Sequence, residues 1–182
     1  MNKLYHAYLT AYNLNEQNDD GFFDCVRGIW DSPEVQSLRQ YEQHLEIDRL
    51  QHITSVSFVA YEVCKKLGLD YAAAARAATM HDLFYYDWRD GETGGWHRMH
   101  GYKHPKYAAI NAKELYPALT DKERDIIRHH MWPLTLALPK SREGFVVSLS
   151  DKYCATRELF YSLSKRYKAR FLRDLEEVKV CG

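Results

Sequence analysis

Residues 49–83 read RLQHITSVSFVAYEVCKKLGLDYAAAARAATMHDL, and they contain two helices together with the marks of where each begins and ends. Asp48 followed by Gln51 is a start of the capping-box type, in which a side-chain oxygen takes an otherwise unpaired backbone N–H of the first turn. Ile53, Val56, Ala60, Val63 and Leu67 then recur at three- and four-residue steps, the period of a helix face, and Gly68 ends the run. Asp70 opens an alanine-rich stretch from Tyr71 to Met80, which runs directly into His81-Asp82. A His-Asp doublet in mid-helix would diverge by about 100°. At a helix end, followed by loop, both side chains can turn inward.

Outward from this stretch, helix signals dominate. Ser32-Pro33-Glu34 supplies an N-cap, an N1 proline and an early acid, and predicts a helix to about residue 46. Helices are expected to resume at His104-Pro105, to restart after Thr120 with Glu123 three residues on, and to stop at Trp132-Pro133. A final pair is expected over roughly 143–158 and 159–178. The segment 84–102, FYYDWRDGETGGWHRMHGY, breaks the pattern: glycines with aromatics on both sides predict a long loop of the kind that serves as a functional lid. Strand signals are nearly absent. The fold expected is all-α, a compact single-domain bundle of about six to eight helices over residues 1–182. Residues 1–31 and 159–182 are read as extensions of a core at 49–158.

Composition narrows the function. The 182 residues carry 25 Lys plus Arg against 25 Asp plus Glu, so no global field favours nucleic acid or an anionic membrane. No run of about 18 apolar residues and no secretory signal is present, which predicts a protein without membrane association. Cys25, Cys64, Cys154 and Cys181 form no CxxC and no compact disulfide framework, and a reduced cytoplasmic compartment is the simplest expectation. A homodimer is compatible with this composition.

Five of the nine histidines fall in order with two aspartates: His52 at the start of one helix, His81-Asp82 at the end of the next, His104 opening another, His129-His130 near the end of the following one, and Asp151 within the penultimate helix. Each interval is about one helix and its connection, so one ligand per helix can converge on a bundle core. Within the doublet His130 is preferred, because the four-residue step from Ile126 puts it on the core face; His129 is kept as a further metal-ligand candidate. Imidazole nitrogens and carboxylate oxygens suit iron, manganese, nickel, cobalt or zinc, and admit magnesium, better than a thiolate set would suit them.

This order resembles the HD superfamily, in which a His, a His-Asp doublet and a distal Asp hold a divalent metal. The motifs are Arg49-x-x-His52, Met80-His81-Asp82-Leu83 and Ser148-Leu149-Ser150-Asp151-Lys152. His104 and His130 are similar to the subset that binds two metals. The resemblance implies Asp82 bridging both ions, His52, His81 and Asp151 completing one shell, and His104 and His130 the other. His81 and Asp82 would then be the catalytic pair. It also implies a metal-activated water attacking a phosphate ester or anhydride, with a nucleotide or small phosphorylated metabolite as substrate. Two ions about 3.5–4 Å apart polarise a phosphoryl oxygen and lower the pKa of a bridging water. The alternatives are a di-iron oxygenase built on the same ligand order and a non-catalytic nucleotide-binding module. Arg49, His97, His100 and Lys103 are the candidate substrate contacts. The chain departs from relatives that cleave cyclic dinucleotides, which carry Gly-Tyr-Pro after the His-His pair where Met131-Trp132-Pro133-Leu134 stands here. It also has Tyr85 where many two-metal relatives have a lysine.

Overall fold

The N-caps do most of the work of dividing the chain into helices. In the computed structural model, which describes residues 2–16, 19–44, 46–87 and 100–181, Asn2 caps α1 (Lys3–Thr10) and α2 follows at Asp20–Trp30. Ser32 caps α3 (Pro33–Gln36) through its Oγ and the Val35 N–H, as the sequence predicts. That helix does not continue to residue 46. It tightens into a 3-10 turn at Ser37–Gln40, and Tyr41 turns to extended backbone. Strands β1 (Glu42–His44) and β2 (Ile47–Asp48) then pair antiparallel, with the Arg49 N–H donating to the Tyr41 carbonyl at 2.8 Å. A one-turn helix has little cooperative advantage, and the hairpin takes up its backbone groups instead.

Asp48 caps α4 (Arg49–Leu67), accepting from the Gln51 N–H at 2.9 Å, and Gly68 ends it in the left-handed region at φ 64°. Only half of the expected capping box forms, since the Gln51 amide donates to the Ala11 carbonyl and Ser55. The sequence pattern suggests one apolar stripe, yet α4 is buried nearly all round, Thr54, Ser55 and Ser57 included. It is the central helix, and helices of that kind lie inside a core rather than on it.

Asp70 caps α5 (Tyr71–Met80), whose small side chains let it approach α4 closely. The Ser57 hydroxyl donates to the Ala75 carbonyl at 2.8 Å and lies 2.9 Å from Thr79 Oγ1, so even the polar groups of this contact are satisfied. Helix α6 spans His100–Leu115, one turn earlier than expected, with Pro105 inside it. Thr120 and Glu123 complete a full capping box on α7 (Asp121–His129). Helix α8 runs over Arg142–Leu163 and α9 over Lys165–Cys181, so the break falls at Ser164 rather than at 158. Ser164 has extended backbone and its Oγ caps the Tyr167 N–H, a start signal the apolar pattern hides.

Nine α-helices and two very short strands occur among the described residues, an all-α architecture. One connected core joins Tyr8 and Leu9 of α1, Phe22 and Val26 of α2, Ile53 and Val56 of α4, the alanines of α5, Ile126 and Ile127 of α7, and Val147 and Cys154 of α8. Among the described residues no helix is long and apolar enough to cross a membrane.

Candidate metal centre

Six polar side chains converge where α4, α5, α6, α7 and α8 meet. His52 sits on the first turn of α4, and His81-Asp82 in the turn that ends α5. His104 lies on α6, His130 caps the end of α7, and Asp151 is mid-way along α8. All are less than a tenth exposed, from 0% for His52 and His81 to 8% for Asp151. Buried ionisable groups in such number need partners or an ion.

Their ligand atoms form two overlapping groups. His52, His81 and Asp151 bring one ligand atom each within 4.8 Å of one another, and so do His81, Asp82 and His130. His52 Nε2 is 3.2 Å from Asp151 Oδ1, and His81 Nε2 is 3.9 Å from the same oxygen. Asp82 Oδ1 lies 3.3 Å from His104 Nε2 and 3.6 Å from His130 Nε2, while Asp82 Oδ2 is 3.7 Å from His81 Nε2. His104 Nε2 and His130 Nε2 face each other at 2.9 Å. His81 therefore belongs to both groups, whereas the family resemblance gives that place to Asp82. An imidazole has one inward nitrogen and a carboxylate has two oxygens, so Asp82 is the residue able to span two ions.

The backbone decides which nitrogen each ring presents. His81 Nδ1 donates to the Ala78 carbonyl at 2.7 Å, and His130 Nδ1 to the Ile127 carbonyl at 2.8 Å. Both rings therefore carry the proton outside and turn a bare Nε2 to the centre. His81 Nε2 and Asp82 Oδ1 are fully buried and make no hydrogen bond. The 3.3 Å approach of His104 to Asp82 Oδ1 lies within ion-pair range but not in hydrogen-bond geometry. A buried nitrogen lone pair and a carboxylate oxygen without donors, side by side, are what a divalent cation satisfies.

Charge agrees with geometry. Burial pushes the Asp82 carboxyl up, but His81, His104 and His130 together hold it well below the usual carboxylate range. Burial likewise opposes the Asp151 charge, and His52, Lys152 and His81 pull that carboxyl below its ordinary value. Burial keeps His81 down, and burial with the neighbouring His81 and His104 rings pushes His130 well down. His52 differs: burial lowers it, yet Glu158 and Asp151 outweigh burial and hold it well above the ordinary value.

A pH dependence follows with a definite sign. Without an ion, Glu158 and Asp151 favour the protonated His52 against burial, and that proton must leave when Nε2 binds a metal. Affinity at the His52 position should rise with pH until the pH passes the raised His52 value, and level off above it. His81 and His130, already neutral, release none. Titration calorimetry with Mn²⁺ in buffers of different ionisation enthalpy should show about one proton released per chain at neutral pH. The His52→Ala variant should show none.

The remaining site candidates fall in different places. His129 turns from the cluster to Asp125, with Nδ1 2.9 Å from Oδ1, and is about a quarter exposed. Arg49, expected at a phosphate, is wholly buried, and its guanidinium donates to the carbonyls of Phe84 (2.6 Å) and Tyr86 (3.2 Å) and to Gln43 Oε1 (3.0 Å). Its donors point into the protein, so it positions the segment after the doublet instead of meeting a substrate. Lys103 is half-buried on α6 beside His104, and His100 begins that helix. His97, with Trp88, Trp96 and residues 88–99 of the expected lid, lies outside the described residues.

Three contributors escape a sequence reading. Gln43 of the hairpin donates to Asp82 Oδ2 at 2.7 Å. Lys152 donates to Asp151 Oδ2 at 2.7 Å and to the His130 carbonyl at 2.6 Å. Glu158 Oε2 lies 2.8 Å from His52 Nδ1. The available signal is spacing: Glu158 follows Asp151 by two helical turns and shares its face.

A family model for the HD domain matches residues 49–156, more than half of the chain. No curated protein matches it, and no solved structure does.

Proposed function

The chain belongs to the HD domain family, and on that footing we propose that it is a metal-dependent hydrolase of phosphate esters or anhydrides, acting on a nucleotide or other small phosphorylated metabolite. The observation that carries this reading is the pair of buried atoms without hydrogen bonds, His81 Nε2 and Asp82 Oδ1, at the focus of four imidazoles and two carboxylates. His52, His81 and Asp151 would hold one divalent ion, and His104, His130 and Asp82 a second, with Asp82 shared between them. Such ions, when bound, supply an activated water and a positive charge on the phosphoryl oxygen.

The chain's own groups set the stage for that chemistry. The Ala78 and Ile127 carbonyls fix the His81 and His130 tautomers. Gln43 holds Asp82 from behind, and Lys152 does the same for Asp151. Phe84, whose ring centroid is 5.5 Å from that of His104, keeps an apolar wall on that side and limits water there. No protein nucleophile is required, and Cys154 does not offer one: burial pushes its thiol well up.

The test is metal analysis of protein reconstituted with manganese, iron, nickel or zinc, followed by a panel of nucleotides and phosphate esters under argon. Up to two equivalents per chain and anaerobic phosphate release are expected. Less than half an equivalent would exclude the metal centre, and oxygen consumption in place of phosphate release would point to an oxygenase. Within the ligand set, His104→Ala or His130→Ala should each leave about one equivalent bound, since only one shell is broken. His129→Ala should leave both. If His129→Ala loses more metal than His130→Ala, the choice within the doublet is reversed.

A further inference from the structure

The supports behind the four inward imidazoles are not equivalent. His81 and His130 each donate Nδ1–H to a backbone carbonyl three residues earlier. His52 instead faces a carboxylate, with Glu158 Oε2 2.8 Å from its Nδ1, and Glu158 has no exposed surface. Glu158 sits on α8 two turns after Asp151, so one helix supplies both a candidate ligand and the group behind another. It lies two residues beyond the matched family segment, which ends at 156.

Charge around this half of the centre explains why a carboxylate is useful there. Asp151 is the carboxylate that belongs to the group with His52 and His81 alone, Asp82 being shared with the other group, and the Lys152 ammonium sits 2.7 Å from Asp151 Oδ2. Lys152 offsets much of the negative charge that would attract a cation. Asp82, in the other group, has the neutral Gln43 amide as its partner at 2.7 Å and keeps its charge. A carboxylate hydrogen-bonded to the far nitrogen of a ligating histidine fixes its tautomer and raises its basicity. A carboxylate buried without such a use keeps an uncompensated desolvation cost.

We propose that Glu158 is a positioning residue for the metal held by His52, His81 and Asp151: it fixes the His52 proton on Nδ1 and restores the negative charge that Lys152 offsets. The inference rests on the metal-centre reading but not on the hydrolytic one. It assigns Glu158 to one site of the two, which a general role in packing would not do.

The experiment is calorimetric titration of Mn²⁺ into the metal-free full-length protein, comparing wild type with Glu158→Gln. The amide keeps an oxygen able to accept from Nδ1 and removes only the charge. Affinity in one binding phase should fall about 10- to 100-fold, while the other phase stays within about threefold. Adding Glu158→Gln to a His104→Ala background, which retains the His52 site, should reproduce the fall on the single remaining phase. Metal-free melting temperatures measured alongside should fall by the same amount in both backgrounds, because each loses the buried His52–Glu158 ion pair. Unchanged affinity in both backgrounds would overturn the proposal. So would an equal loss in both phases, the signature of a merely structural prop. A wild-type protein that binds Mn²⁺ in this Glu158-dependent way but releases phosphate from no substrate would uphold the positioning role while removing the hydrolase reading. A protein that binds none of manganese, iron, nickel and zinc would remove both.

Discussion

Asp82→Ala should remove most bound metal and bring phosphate release to background. Asp82 Oδ1 faces two imidazole nitrogens at 3.3 and 3.6 Å, and Oδ2 faces a third at 3.7 Å. Without the carboxylate, the inward nitrogens of His81, His104 and His130 would surround a space with no anion in it, and a divalent ion would lose its principal counter-charge. Loss of activity should reach at least about a thousandfold in kcat/KM, equivalent to about 4 kcal/mol of transition-state stabilisation. The fold should survive, because the backbone bond of this turn, the Phe84 N–H on the Asp82 carbonyl at 2.9 Å, does not need the side chain. The check is metal content and specificity constant on one preparation, with circular dichroism to establish folding. Retention of metal and turnover would reduce the doublet to a structural feature.

Arg49→Met should produce the largest loss of stability. The guanidinium is fully buried, lies 3.7 Å from the Phe84 ring centroid and 4.8 Å from that of Tyr41, and donates to two carbonyls and an amide oxygen. Methionine fills similar volume but takes a donor from each of those oxygens and lets Gln43 swing from Asp82. Removing one partner from a buried polar network costs about 3–5 kcal/mol. For a chain of this size that is a melting temperature lower by roughly 10 °C. Arg49→Lys should recover little of this, since a single ammonium cannot direct donors along three axes as the planar fork does. Metal affinity should fall as well, because the segment Arg49 grips follows directly after Asp82. A melting temperature within a degree or two of wild type would show that the network is dispensable.

The sequence carried the helices of the centre well because their signals are local. Asp48, Asp70 and Thr120 cap where they are expected to, and His81-Asp82 falls at a helix end, where both residues can face the same space. What stayed hidden depends on contacts between distant parts of the chain. The hairpin at 42–48 has strands too short to show alternation, yet it delivers Gln43 to Asp82. Arg49 reads as a basic residue near a phosphate site. Its position three residues before His52 places it on the same inward face of α4, and the helix is buried on almost every side. Glu158 looks like any acid on a helix rich in charge until the fold brings α4 against α8.

Because the six converging side chains come from five helices spread between residues 52 and 151, an ion bound there ties together segments that adjoin only in the folded chain. Metal supply would thus govern the lifetime of the protein as well as its chemistry. By mass action, free metal at about one hundred times its dissociation constant adds about 2.7 kcal/mol to the folded state. Chelation would withdraw that increment and raise the population of locally opened chains open to proteases. Abundance would then follow the availability of the metal, so that a cell short of it would hold less of the protein altogether.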